Sequence, residues 1–180
     1  KADVIILDKS VDRLRELQFA FGNTIKAVYS TSAAVEKHVV DADLVIGSVL
    51  IPGAAAPKLV TKEMIKKMRP GSAVVDISID QGGCFETSRP TTHDDPTYIE
   101  QGVVHYCVTN MPAAVARTAT LALNNVTLGY VSTLASLGWK QAFSADPLFA
   151  EGLNVHLGEV HHPKVAQALG VPAVRLRRAA

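Results

Sequence analysis

Cysteine is scarce in this chain, whose 180 residues contain only Cys84 and Cys107. The two stand in no C-x-x-C spacing and have no neighbouring histidine set, so neither a disulfide framework nor a zinc site is expected, and a reducing compartment fits. A dominant charge sign is also lacking. Lys and Arg number 18 against 17 Asp and Glu, a formal net charge of +1, which gives no electrostatic case for binding nucleic acid or an acidic membrane surface. The small basic tail of Arg175, Arg177 and Arg178 reads as a solvated end. The longest apolar runs, such as Leu44 to Ile51, fall well short of a bilayer span, and no charged-then-apolar leader opens the sequence. A soluble, cytoplasmic protein is expected. None of His93, His105, His161 and His162 has a partner at metal-ligand spacing, so they read as surface or core side chains and no metal is expected.

What is present is hydrophobic content of 48%, enough for a normal core in one domain or one domain plus an appendage. Strand and helix patterns alternate along it. Val4-Ile5-Ile6-Leu7 is a β-branched run stopped by Asp8. A helix follows, with Val11, Leu14, Leu17 and Phe21 on one face, Ser10 as its cap and Gly22-Asn23 as its end. Ile25 to Tyr29 reads as the next strand, Ser32 as the cap of a helix through Val39, and Leu44 to Val49 as a buried strand broken by Pro52-Gly53. Thr61 opens a helix to Met68, and Arg69-Pro70-Gly71 turns the chain into an apolar strand from Ala73 to Ile79 that ends on Asp80. After a polar loop from Glu86 to Thr97, Val103 to Val108 is a fifth strand. Small residues, Leu and Val then recur at helical spacing from Pro112 to Leu137, and a shorter helix is expected from Trp139 to about Phe149.

The alternation implies an α/β fold with a Rossmann-like parallel sheet. One element of that fold is missing. A dinucleotide fold normally opens with a strand and a G-x-G-x-x-G turn, followed by an acidic residue at the end of the second strand. Here Asp8 has the place of the acidic residue and no glycine turn precedes it. The first strand lies centrally in the usual order, so its loss is expected to split the remaining strands into two groups with exposed edges. The sequence therefore reads as the carboxyl-terminal part of a longer chain.

Candidate chemistry gathers after the strands. Asp8 either contacts the hydroxyls of an adenosine ribose or serves as a helix-start carboxylate, and the pattern leaves both open. Ser30 is an adenine-side contact or a helix-entry serine. Gly47 to Gly53 is either an apolar shelf for a nicotinamide ring and its ribose or a tight turn without a ligand. Asp80 follows a fully apolar strand and must be solvated by a cleft, paired or hydrogen-bonded. Gly82 and Gly83 beside it would allow a ligand to approach the backbone, so Asp80 is favoured as functional over loop-bracing. Asn110 offers an amide to a carboxamide or substrate, or caps the Pro112 helix. Glu86 and Arg89 are expected to brace the loop, as an ion pair or through backbone hydrogen bonds.

The run Asp76-Ile77-Ser78-Ile79-Asp80-Gln81-Gly82-Gly83-Cys84-Phe85-Glu86, then Ser88-Arg89-Pro90-Thr91-Thr92, then Asn110-Met111-Pro112 with Arg117-Thr118, resembles the carboxyl-terminal half of the bacterial alanine dehydrogenases. The similarity covers nearly the whole chain, fading after about Gly170. The resemblance implies a partial NAD-binding Rossmann domain over residues 1–111. It assigns 112–180 to a C-terminal helical segment of the substrate domain, whose helices would pack on a catalytic domain outside this sequence. It implies Asp80 as the catalytic aspartate at the nicotinamide and Asp8 as the ribose ligand. Arg13 and Ser30 would lie near the adenosine, Val49 and Leu50 by the nicotinamide ribose, Ile77, Ser78, Ile79 and Asp80 beneath the ring, and Val108, Thr109, Asn110 and Met111 closing the pocket, with Asn110 also toward substrate. L-alanine and pyruvate would be the substrates, and a homo-hexamer the assembly. The family's catalytic histidine and its substrate-binding arginine and lysine would belong to the missing amino-terminal half, so this fragment should not turn over alone. NAD is preferred over NADP because Asp8 would repel a 2′-phosphate, an argument softened by Lys9 and Arg13. Two alternatives stand beside this reading: the NAD-binding subunit of a proton-translocating transhydrogenase, and a non-catalytic nucleotide-binding module.

Overall fold

A computed structural model describes residues 2–51 and 54–174; the expected Pro52-Gly53 break and the basic residues Arg175, Arg177 and Arg178 lie outside the described residues. Two compact units are present, one of Lys1–Leu50 with Ala56–Thr109 and one of Ile51–Ala55 with Asn110–Ala180.

In the first unit, β1 (Val4–Asp8) pairs in parallel with β2 (Ile25–Tyr29), setting Asp8 opposite Tyr29. Between them runs α1 (Val11–Phe21). Its first turn is closed by Ser10, whose Oγ accepts from the Arg13 N–H at 3.2 Å, and it stops at Gly22, where φ is 55°. The cap of α2 (Ser32–Asp41) is Thr31 rather than Ser32. Thr31 is the residue with extended backbone, so its Oγ1 is the one that reaches the Ala34 N–H, at 3.1 Å, while Ser32 is already helical.

The second sheet contains β3 (Leu44–Gly47), β4 (Ala73–Asp76), β5 (Thr97–Glu100) and β6 (Val103–Tyr106) in the order β3-β4-β6-β5. The first three of these are parallel. Between β3 and β4 lies α3 (Lys62–Lys67), whose first turn receives two caps: Thr61 Oγ1 takes the Met64 N–H at 3.2 Å, and the Glu86 carboxylate takes the Lys62 N–H at 2.7 Å. Among the described residues no ladder joins β1 or β2 to the four-stranded sheet. The split into two groups is the one expected of a Rossmann-like sheet without its central first strand.

Three expected boundaries move. The strand read as Ala73 to Ile79 ends at Asp76, because Ser78 and Ile79 already belong to a turn and a short 3-10 segment, Ile79–Gln81. The strands read to Val49 and Val108 end at Gly47 and Tyr106. A strand not expected from the sequence, β5, begins where the polar loop ends and runs antiparallel to β6 through a two-residue turn at Gln101-Gly102, both at positive φ of 55° and 78°. Such a turn matches the twist of a hairpin.

The core of this unit lies between α2, α3 and the second sheet. Ile65, Val74, Phe85 and Val103 are fully enclosed there, with Val39, Val60, Met64 and Met68 around them. Each such side chain contributes about 1.5–3 kcal/mol relative to leaving it in water.

The second unit opens with a 3-10 turn, Met111–Val115, carrying Pro112, so the helix expected from Pro112 starts as α4 at Ala116. α4 (Ala116–Ala145) is interrupted at Gly138, with φ 71° and ψ 160°, a conformation essentially confined to glycine. The expected end at Leu137 and restart at Trp139 fall on this break. α5 (Pro147–Ala150), a β7 (Val155–His156) and β8 (Glu159–Val160) hairpin, and α6 (Pro163–Leu169) follow. Aromatic rings of Tyr130, Phe149, Phe143 and Trp139 pack in sequence at centroid distances of 4.9, 5.3 and 6.0 Å. No helix among the described residues is long and apolar enough to cross a membrane.

Candidate active site

Within the first unit, Asp8 ends a parallel strand and Ser30, Val49, Leu50, Asp80 and Thr109 follow the carboxyl ends of others, the edge at which open α/β sheets bind ligands. Asp8 and Ser30 are brought together directly, the Ser30 N–H donating to the Asp8 carbonyl at 2.9 Å. The structure shows Asp8 at the start of a helix. Its Oδ1 accepts the Ser10 N–H at 2.7 Å, bracing the entry to α1, while Oδ2 has no donor among the described residues. Arg13 lies one turn away, its guanidinium paired with Glu16 at 2.8 Å on an exposed helix face.

The next two strand ends are locked to each other. The Ile77 N–H donates to the Gly47 carbonyl at 2.8 Å. The buried Ser78 hydroxyl accepts from the Val49 N–H and donates to the Val49 carbonyl, both at 2.8 Å. Leu50 and Ile77 are left with 71% and 49% of their surface exposed, an apolar pair beside the Asp80 turn with no core to fill. Ser78 and Ile79 face inward, so any contact they make with a ligand falls to backbone atoms.

The carboxylate at the strand end is Asp76, and it is wholly buried. It accepts from the N–H groups of Ser78 (3.1 Å), Cys84 (2.8 Å) and Phe85 (3.3 Å) and from the Ser88 hydroxyl (2.5 Å). A buried charge needs such a complete set of donors. Asp76 thereby fills the loop-bracing role that the sequence offered as an alternative for Asp80. Asp80 sits in the 3-10 segment with its side chain exposed and without a hydrogen-bond or ion-pair partner among the described residues.

The glycines after Asp80 also serve the turn itself. A Cβ on Gly83 would stand 2.7 Å from Asp76 Oδ2, so this glycine makes room for the protein's own carboxylate. Gly82, at φ 92°, ends the 3-10 segment in the left-handed region. Gly47 is required by close approach as well, since a Cβ there would come 2.3 Å from Cys84 Sγ and 2.5 Å from the Phe85 ring. Cys84 is buried beside Asp76, and burial first, then the Asp76 charge, push its thiol up to about 12. A thiol held protonated in this way is a poor nucleophile at neutral pH.

The loop beyond is braced as expected of Glu86 and Arg89, through backbone bonds and stacking rather than an ion pair. Glu86 caps α3. Arg89 lies over the Tyr98 ring at 3.8 Å, and its N–H donates to the Tyr98 hydroxyl at 2.9 Å. On Tyr98 stacks His105, with centroids 4.9 Å apart. His105 Nδ1 faces the Val103 carbonyl at 3.0 Å, which can only accept, so Nδ1 carries the proton and Nε2 is left to accept from Thr87 Oγ1 at 2.8 Å. Burial lowers the His105 pKa, in keeping with a neutral ring. Val108 is buried and Thr109 exposed.

Sequence reasoning missed Lys58. Its ammonium donates to the carbonyls of Gly82, Gly83 and Phe85 at 2.5, 2.9 and 3.2 Å. A lysine in a Pro-Lys-Leu stretch carries no motif, and only the folded loop brings those carbonyls together. In the second unit, Asn110 and Met111 begin the 3-10 turn. The Ala113 N–H donates to the Asn110 carbonyl at 3.1 Å, and the Asn110 side chain makes no capping bond to that turn.

The alanine dehydrogenase/PNT C-terminal domain family model matches residues 1–163. The chain belongs to this family. Over 173 residues it is 56% identical to the alanine dehydrogenase of Halomonas elongata, covering 96% of this chain and 47% of that protein. Over 171 residues it is 54% identical to the alanine dehydrogenase of Staphylococcus haemolyticus, covering 94% and 46%. A solved L-alanine dehydrogenase superposes with a TM-score of 0.81 at 50% identity, covering 94% of this chain and 46% of that one. A solved transhydrogenase from Sinorhizobium meliloti is more distant, with a TM-score of 0.61 at 25% identity over 90% of this chain and 50% of that one. This member of the alanine dehydrogenase/PNT family thus spans about half the length of the relatives it matches.

Proposed function

We propose that this chain supplies most of the NAD site and one catalytic carboxylate of an alanine dehydrogenase. The longer protein would convert L-alanine, NAD⁺ and water to pyruvate, ammonium, NADH and a proton. The observation that carries this reading is the exposed Asp80 carboxylate, held just beyond a strand end on a turn whose amides are fixed by a separate buried carboxylate, in a chain of this family.

The residues fit a dinucleotide. Asp8 has one oxygen left for ribose hydroxyls, with Ser30 beside it and Arg13 one turn away. Val49 and Leu50 supply the shelf for the nicotinamide ribose, and Leu50 and Ile77 offer exposed apolar surface suited to a planar ring. Ser78, Ile79, Val108, Thr109, Asn110 and Met111 complete the proposed set, with Asn110 also directed to substrate. The Asp8 charge favours NAD over NADP. Bound NAD would accept hydride from the alanine Cα. Asp80 stabilises the positive charge that develops on the substrate nitrogen and orients water for attack on the imine carbon. The proton-transfer partner belongs to residues outside this chain, so the chain alone is inactive. Residues 1–111 form the partial NAD-binding domain and 112–180 the helical segment of the substrate domain. A cytoplasmic homo-hexamer is the proposed state of the whole protein.

The second reading, hydride exchange between two nucleotides, draws on the likeness to the Sinorhizobium meliloti transhydrogenase. Incubating the longer protein with L-alanine and NAD tests the first reading: NADH and pyruvate in equal amounts are expected. No NADH from alanine, with reduction of a second nucleotide by added NADH instead, would overturn it.

A further inference from the structure

Residues 56–60 are zipped against 81–86. The Ala56 N–H donates to the Gln81 carbonyl at 2.8 Å, the Leu59 N–H to the Cys84 carbonyl at 2.8 Å, and the Glu86 N–H to the Val60 carbonyl at 2.9 Å. Lys58 stands in the middle of this seam. Its ammonium has three N–H donors and meets three carbonyls, those of Gly82, Gly83 and Phe85, at 2.5, 2.9 and 3.2 Å. Gly82 and Gly83 both hold left-handed backbone, at φ 92° and 74°. Three carbonyls gathered at one place repel one another unless a cation sits among them. Asp76 holds the same turn by its amides, those of Ser78, Cys84 and Phe85. An anion thus grips the N–H groups and a cation grips the C=O groups, and Phe85 is held by both. Asp80 lies on the short arc between these grips, two residues before the first carbonyl that Lys58 binds.

We propose that Lys58 is a positioning residue for Asp80: by gathering the Gly82, Gly83 and Phe85 carbonyls it fixes the turn on which the Asp80 carboxylate is presented to substrate. This rests on the reading of Asp80 as the catalytic carboxylate. The three donors of the Lys58 ammonium are directed at these three carbonyls, so in this proposal its loss acts on turnover through Asp80. Displacement of a catalytic group by about 1 Å costs on the order of 100-fold in rate.

The test is a double-variant cycle in the longer protein, reading kcat for alanine oxidation and, separately, NADH affinity. Lys58→Met is expected to lower kcat by about 10- to 100-fold while changing NADH affinity by less than about threefold. Asp80→Asn is expected to lower kcat by about 1000-fold or more, and adding Lys58→Met to it to change kcat by less than about twofold. Lys58→Arg, which keeps N–H donors for the carbonyls, is expected to recover most of the loss. Wild-type kcat in Lys58→Met, or losses that multiply in the double variant, would overturn the role of Lys58 and leave Asp80 untouched. Wild-type kcat in Asp80→Asn would overturn the reading of Asp80 instead. Should Lys58→Met fail to fold, Lys58→Gln serves in its place. With two donors for three carbonyls it is expected to lose about three- to tenfold in kcat, and an unchanged kcat would overturn the proposal.

Discussion

At the residue scale, two neighbouring aspartates differ sharply, Asp76 being enclosed and Asp80 exposed. Asp76 is enclosed and satisfied by five donors of the loop it anchors, the Cys84 thiol among them, so it acts on stability. Asp76→Asn keeps the shape but turns an amide N–H toward backbone N–H groups. It is expected to lower the unfolding free energy by about 2–4 kcal/mol in urea denaturation; a change below about 0.5 kcal/mol would show the network to be dispensable. Gly47→Ala forces a methyl into the Cys84 sulfur and the Phe85 ring and is expected to cost about 1–3 kcal/mol by the same measurement. His105 sets a pH dependence. Burial holds its folded pKa below the unfolded value near 6.5, so the unfolded chain takes up the proton first. Its contribution to stability is therefore full above about pH 6.5 and is lost as pH falls through the folded value. The urea midpoint of the wild type is expected to fall more steeply below pH 6.5 than that of His105→Gln, and parallel profiles would contradict it.

At the scale of elements, the backbone break in α4 gives a further expectation. Gly138 at φ 71° and ψ 160° is a position where any side chain is strained, so Gly138→Ala is expected to cost about 1–3 kcal/mol in thermal unfolding. The parallel strands, the Ser10 and Thr61 caps and this break were all readable, because apolar periodicity, capping residues and glycine act locally. What was not readable depended on distant partners. Ile77-Ser78-Ile79 continues the apolar run of β4 and mimics strand, yet Ser78 turns away because its hydroxyl exchanges hydrogen bonds with Val49, 29 residues earlier. β5 went unread because its Tyr98 gains an inward place by stacking between Arg89 and His105 and by donating its hydroxyl to the Thr87 carbonyl at 2.8 Å. Lys58 offered no pattern, since its meaning lies in three carbonyls that converge only after the loop has formed. Asp76 was visible as a charge within an apolar run, and that conflict with burial was the available sign that it would be a satisfied anchor.

At the scale of the whole molecule, the described strands of the first unit form two sheets rather than one. Apolar side chains stand exposed on β3, where Leu44 and Ile46 keep more than half of their surface open, and along α4 at Leu121, Leu123, Val126, Leu128 and Val131. Exposed apolar surface of this extent is typical of faces that bind protein, membrane or ligand. The chain spans about half the length of its relatives. Prepared alone it is expected to bind the dye ANS more strongly than the longer protein does and to form no NADH from alanine and NAD; turnover by the isolated chain would contradict the division of catalytic groups proposed above. The central claim is that Asp80 is the carboxylate on which alanine oxidation depends, and that its part is in chemistry rather than in holding NAD. The most direct measurement is single-turnover NADH formation by the longer protein carrying Asp80→Asn, with NADH affinity measured on the same preparation. A rate lower by about 1000-fold or more with affinity within about threefold of wild type is expected, and a wild-type rate, or a loss explained wholly by weaker NADH binding, would contradict it.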